Sequence, residues 1–77
     1  MRERHDYTVV FEEEPEGGYT VIVPALPGCV TYGRTRAEAR RMVKEAIGAY
    51  LQSLRKHGEA IPEDNVTSVE SVAVGLA

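Results

Sequence analysis

Thr35 and Glu38 stand three residues apart immediately before the one long stretch with helical periodicity, and no other feature limits the fold as strongly. The Thr35 hydroxyl can accept the Glu38 amide while that carboxylate reaches back to the Thr35 amide, so the pair reads as a capping box. From Arg36 to about His57, Ala39, Met42, Val43, Ala46, Ile47, Tyr50, Leu51 and Leu54 recur at spacings of three and four, which gives a broad apolar stripe. The opposite side carries Arg36, Arg40, Arg41, Lys44, Arg55 and Lys56, and Gly58 supplies the stop. At 1.5 Å per residue this helix runs about 33 Å, enough to cross a small sheet completely. Gly48 lowers helix propensity by about 1 kcal/mol relative to alanine and is read as marking close packing in preference to a slight bend. Gly28 and Gly33 bracket the run ahead of the helix and are assigned to backbone conformations that a side chain would oppose.

Everything ahead of that junction reads as sheet. Residues 7–11 are rich in β-branched and aromatic side chains, with Tyr7, Val9 and Phe11 sharing one face of a first strand. Glu12, Glu13, Glu14, Pro15, Glu16, Gly17 and Gly18 combine like charges with proline and two glycines, which is hairpin chemistry. A second strand over residues 19–23 ends at Pro24, which lacks the amide to continue a central ladder. The stiff run from Pro24 through Gly28 leads to a short third strand, residues 29–32, completing an antiparallel meander. After the helix, residues 58–65 have loop composition and residues 66–74 are β-prone. A right-handed crossover would return such a fourth strand beside the first. The fold class expected is therefore α+β, a small βββαβ domain, with residues 75–77 frayed.

The first two strands carry the continuous apolar triplets Val9, Val10, Phe11 and Val21, Ile22, Val23, which place apolar groups on both faces of the sheet. One helix covers one face. A chain of 77 residues buries only about 60 to 65% of its unfolded surface, and its single Cys29 makes no internal disulfide. Self-association or a partner is the expected source of further stability. No apolar stretch approaches the roughly 20 residues that span a bilayer, and residues 1–6 lead into strand-like sequence and not into a signal peptide. A cytoplasmic protein is expected. The net charge of −3 disfavours general attraction to nucleic acid phosphates.

The sequence offers little catalytic chemistry. His5 and His57 lie far apart with no nucleophile or ligand at motif spacing, and His57 suits the negative end of the helix dipole. Cys29 has no flanking His or second Cys and reads as a small buried hydrophobe. Gly17 and Gly18 do not form a phosphate loop, because no lysine and helix N-terminus follow at the required positions. No metal or cofactor site is expected. The basic helix side lacks the interleaved aromatic groups that stack nucleic acid bases and reads as a solvated face.

Taken together, the strand Tyr7 to Phe11, the Gly17-Gly18-Tyr19 turn, Pro24-Ala25-Leu26-Pro27-Gly28-Cys29, Gly33-Arg34-Thr35-Arg36-Ala37-Glu38-Ala39 and Ile61-Pro62 resemble the HicB-like antitoxin family. The resemblance runs over nearly the whole chain. It implies a partial ribonuclease H-like βββαβ domain that assembles as a homo-dimer or tetramer and binds a small, basic, mRNA-cleaving HicA-like toxin. It also implies a non-enzymatic role, in which the antitoxin masks the toxin. Residues 1–77 read as a single such domain without the C-terminal DNA-binding segment many members carry, so direct DNA binding is not expected. A nuclease would need several carboxylates converging from different strands, and Asp6 and Asp64 are the only aspartates. The partner-contacting residues expected are Glu12, Glu13, Glu14 and Glu16 of the hairpin, together with Tyr32. The alternative is a stand-alone oligomeric adaptor of the same fold without a toxin.

Overall fold

The computed structural model describes residues 3–77 and contains three strands followed by one helix: β1 (Val10–Glu13), β2 (Tyr19–Ile22), β3 (Val30–Gly33) and α1 (Arg36–Lys56). Met1 and Arg2, part of the leading segment considered above, lie outside the described residues. The sheet order is β1-β2-β3, antiparallel throughout, with Val10 opposite Ile22 and Ile22 opposite Val30. β1 begins three residues later than the sequence pattern places it. Its apolar lead-in, Tyr7 and Val9, still packs against the core.

Val21, Val23, Leu26, Cys29, Ala39 and Val43 form the buried centre, with Phe11, Tyr19, Ile47, Tyr50 and Leu51 packed around it. Leu26 reaches this core because the connection between β2 and β3 is two consecutive turns. The Leu26 amide donates to the Val23 carbonyl at 3.0 Å and the Cys29 amide to the Leu26 carbonyl at 2.9 Å. Each turn has proline at its second position, and Gly28 supplies the positive φ of 81° that the second requires. The Tyr50 hydroxyl donates to the Pro27 carbonyl at 2.9 Å and ties this loop to the helix.

Both helix ends are capped, with one change at the start. Thr35 Oγ1 accepts from the Glu38 amide at 3.0 Å as expected, but the Glu38 carboxylate accepts from the Arg34 amide at 2.8 Å and not from Thr35. The reach is one residue longer than in the standard box. At the other end the Gly58 amide donates to the Arg55 carbonyl and the Glu59 amide to the Leu54 carbonyl, at 3.1 and 2.8 Å. With Gly58 at φ 70°, this is a Schellman stop.

Two glycine assignments are corrected. Gly33 does not have a positive φ; its constraint is steric, since a Cβ there would fall 2.3 Å from the Ala39 nitrogen. The helix and β3 touch at backbone distance. Gly48, by contrast, faces open space with nothing within 4 Å, so it does not mark close packing.

The fourth strand is also corrected. Residues 59–77 carry no strand, and Val69, Val72, Val74 and Leu76 are 74–96% exposed. Strand propensity is realised only where an edge supplies ladder partners and a face supplies burial. The chain comes to the start of the sheet, where the Tyr7 hydroxyl donates to the Pro62 carbonyl and Thr8 Oγ1 donates to the Asp64 carboxylate at 2.7 Å. Beyond Val66 it does not join that sheet. The architecture described is thus βββα with an extended C-terminal segment.

Candidate functional site

Strand alternation divides the sheet into two unlike faces. Phe11, Tyr19 and Val21 point toward the helix, whereas Val10, Glu12, Thr20, Ile22, Val30 and Tyr32 point away from it. On this open face the register lines up two rows: Val10, Ile22 and Val30 in one, Glu12, Thr20 and Tyr32 in the next. The first row is apolar and exposed at both ends, Val10 at 37% and Val30 at 56%. The second row is polar and runs into the hairpin.

The hairpin itself is held from several sides. The Gly17 amide donates to the Glu14 carbonyl at 3.0 Å, closing a turn with Pro15 at its second position, and the Glu14 amide donates to the Gly18 carbonyl at 2.9 Å. Gly17 and Gly18 both take positive φ. The Tyr32 hydroxyl donates to the Gly17 carbonyl at 2.9 Å, and its ring lies so close to Gly18 that a Cβ would fall 2.1 Å from the phenol oxygen. Gly18 is therefore required twice, by its backbone and by the tyrosine over it. Thr20 Oγ1 donates to the Glu14 carboxylate at 2.6 Å.

Of the five residues expected at a partner surface, the structure gathers Glu12, Glu14 and Tyr32 around Thr20 on the open face. Glu16 sits exposed at the hairpin tip, and alternation turns Glu13 toward the opposite side of β1. Thr20 and Val30 have no assigned role in the sequence reading. The hairpin register would have exposed them, because it sets Thr20 opposite Glu12 and brings Val30 into the Val10 row. The outcome is a surface with an acidic, aromatic end and an apolar middle.

The other titratable groups are in structural positions. Cys29 is a free, buried thiol, and burial pushes its pKa upward, away from thiolate chemistry. Burial, followed by the charges of Asp64 and Glu63, raises the pKa of Tyr7. His57 caps the helix, its Nδ1 2.8 Å from the Ser53 carbonyl oxygen. Arg36 is exposed at the start of the helix, and its guanidinium also lies 4.2 Å from the centroid of the Phe11 ring. Asp6 faces Arg4 at 3.3 Å, while Asp64 is held by Thr8. Among the described residues, no group of three or more His, Cys, Asp or Glu side chains is placed to hold a metal ion. A shallow groove of about 520 Å³ lies at the far end of the helix, lined by Glu3, His5, Gly48, Leu51, Gln52, Arg55 and Ile61. The Glu3–Arg55 ion pair closes one wall of it. No described helix is long and apolar enough to cross a membrane.

The sheet thus has one face covered by its helix and the other left partly apolar beside an acidic hairpin. The profile described as "HicB_like antitoxin of bacterial toxin-antitoxin system" matches residues 7–75, and the chain belongs to this family. It is 52% identical over 63 residues to a UPF0150 protein of Thermoplasma acidophilum, an alignment covering 82% of this chain and 91% of that protein. A Synechocystis UPF0150 protein is 37% identical over 62 residues, 80% of this chain and 78% of the relative. Antitoxin HicB 1 of Photorhabdus laumondii is 34% identical over 71 residues, covering 92% of this chain but 46% of that longer protein.

Proposed function

We propose that this chain is the antitoxin of a type II toxin–antitoxin pair and that it binds and occludes a small, basic, mRNA-cleaving toxin of the HicA type. The observation that carries the reading is the antitoxin-family match across residues 7–75. The chemistry of the open face supports it. Glu12, Glu14 and Glu16 give the hairpin end a negative field suited to the cationic surface with which a ribonuclease holds RNA phosphates. The adjoining Val10, Ile22 and Val30 row supplies apolar area for a lasting contact. Tyr32, at the boundary of the two, is the aromatic anchor. Glu13, turned to the other side of β1, adds only to the overall negative field of the hairpin. The antitoxin acts in the cytoplasm, without cofactor or catalytic step, as a homo-oligomer of partial ribonuclease H-like domains.

Co-expression with the product of a neighbouring small basic reading frame tests the proposal. A co-purifying complex and relief of growth arrest are expected. Glu12→Lys with Glu16→Lys should slow association and flatten its salt dependence, because rim charges act chiefly on encounter. Arrest that persists with no complex formed would overturn it.

A further inference from the structure

The described chain is far less compact than its size allows. A compact protein of its 8.5 kDa mass exposes about 4,700 Å² and has a radius of gyration of about 11 to 12 Å. This one exposes 6381 Å², has a radius of 14.9 Å and extends 52 Å along its longest axis. The excess, about 1,700 Å², is roughly twice what each partner contributes to a standard protein interface, about 800 Å². Much of it belongs to the extended C-terminal segment, where Val69, Val72 and Val74 are exposed by 74–79%.

Composition and position together say what that segment fits. Val66, Thr67, Val69, Val72 and Val74 give it the β-branched content of a strand, yet residues 66–77 form no ladder with their own sheet. β1 is an edge strand with one side unpaired. The chain arrives at this edge, where Thr8 holds Asp64 and Tyr7 holds Pro62, and leaves it again without pairing. β3, the other edge, lies two strand spacings away, about 10 Å.

We propose that residues 66–74 form a strand in a second copy of this chain, adding to the free edge of the partner's β1, and that two copies exchange these segments reciprocally. Each copy then completes a four-stranded sheet with a borrowed strand and covers its own apolar segment in the same step. A two-fold exchange is closed, so both arms and both β1 edges are used and none is left to propagate. The open face with Val10, Ile22, Val30 and Tyr32 stays clear of the exchanged strand, which joins by backbone pairing at the edge. The inference rests on the homo-oligomer part of the function proposed above and is independent of the toxin, so it is tested on the purified chain alone.

Sedimentation and light scattering should give a mass at least twice 8.5 kDa for the unaltered protein. In Val69→Pro/Val72→Pro, the two prolines remove ladder donors at positions 78 and 74% exposed in the single chain, so the helical circular dichroism should be unchanged. The mass of this variant should fall by half or more. Amide exchange places the contact: protection of residues 10–13 and 66–74 should drop at least tenfold in the variant, while that of residues 30–33 holds. A monomeric unaltered protein, a mass that survives both prolines, or protection lost at β3 and kept at β1 would each overturn the proposal. So would protection of 66–74 that appears only on adding a toxin, since the strand would then belong to a different partner.

Discussion

Val21 and Val30 occupy neighbouring strands of one sheet, yet the first is fully buried and the second 56% exposed. Residue type does not separate them. Val21 lies under the helix with Leu26, Ala39 and Val43, whereas Val30 sits in the Val10–Ile22–Val30 row on the opposite face. The covered face holds the core, and the open face is the one on which the proposed partner contact rests. The same amino acids serve both because the helix is long enough for one side of the sheet and there is only one helix among the described residues.

The sharpest test of that division is a pair of truncations. Leu26→Ala removes a fully buried side chain from the covered face and should cost about 2–5 kcal/mol in urea unfolding. Val30→Ser, on the open face, should change stability by less than about 0.5 kcal/mol. Similar losses for the two would show that the open face is packed in the free chain, and the comparison would break.

Next in size is a pair of glycines that separates contact from exposure along the helix. Gly33→Ala places a Cβ 2.3 Å from the Ala39 backbone nitrogen, so the helix must lift from β3 at a cost of about 1–3 kcal/mol. Gly48→Ala meets nothing within 4 Å and should stabilise by about 1 kcal/mol through helix propensity. Opposite signs in thermal or urea unfolding are the expected result. A smaller loss, about 1 kcal/mol, is expected from Thr35→Ala, which leaves the Glu38 amide without its cap.

These contrasts also mark where sequence sufficed. Whereas the run from Pro24 to Gly28 read only as a stiff connection and not as two turns, the stripe from Ala39 to Leu54, the Thr35 cap and the Gly58 stop are local patterns, set by residues a few positions apart, and each was readable as such. Gly33 and Gly48 were not, because a glycine needed for close approach looks the same in sequence as one that is merely tolerated. The fourth strand misled for a related reason. Its valines carry strand propensity, but propensity does not name the edge that will accept it, and residues 66–74 find none in their own chain. At the candidate site the acidic run was visible, while the grouping of Glu12, Glu14 and Tyr32 around Thr20 depends on cross-strand register. Helical spacing places Arg36 in solvent, where the structure has it, but does not show the Phe11 ring that its guanidinium covers.

The finest distinction concerns the border where the covered face meets the departing C-terminal segment. Tyr7 lies there, packed against the core, with its hydroxyl donating to the Pro62 carbonyl. Burial first, and the carboxylates of Asp64 and Glu63 next, favour its neutral form and raise its pKa in the folded chain. Folding therefore holds the phenol proton more tightly than the unfolded chain does. The resulting stabilisation is intact below the ordinary tyrosine value of about 10 and is lost as pH rises through the higher folded value. Unfolding measured from pH 8 to 11 should show an alkaline decline that Tyr7→Phe makes shallower, with a smaller contribution removed by Asp64→Asn. Ionisation of Tyr7 should also release the Pro62 contact, so proteolysis near residues 62–66 should accelerate over the same interval. An alkaline decline identical in Tyr7→Phe would show that this border is not held by the phenol.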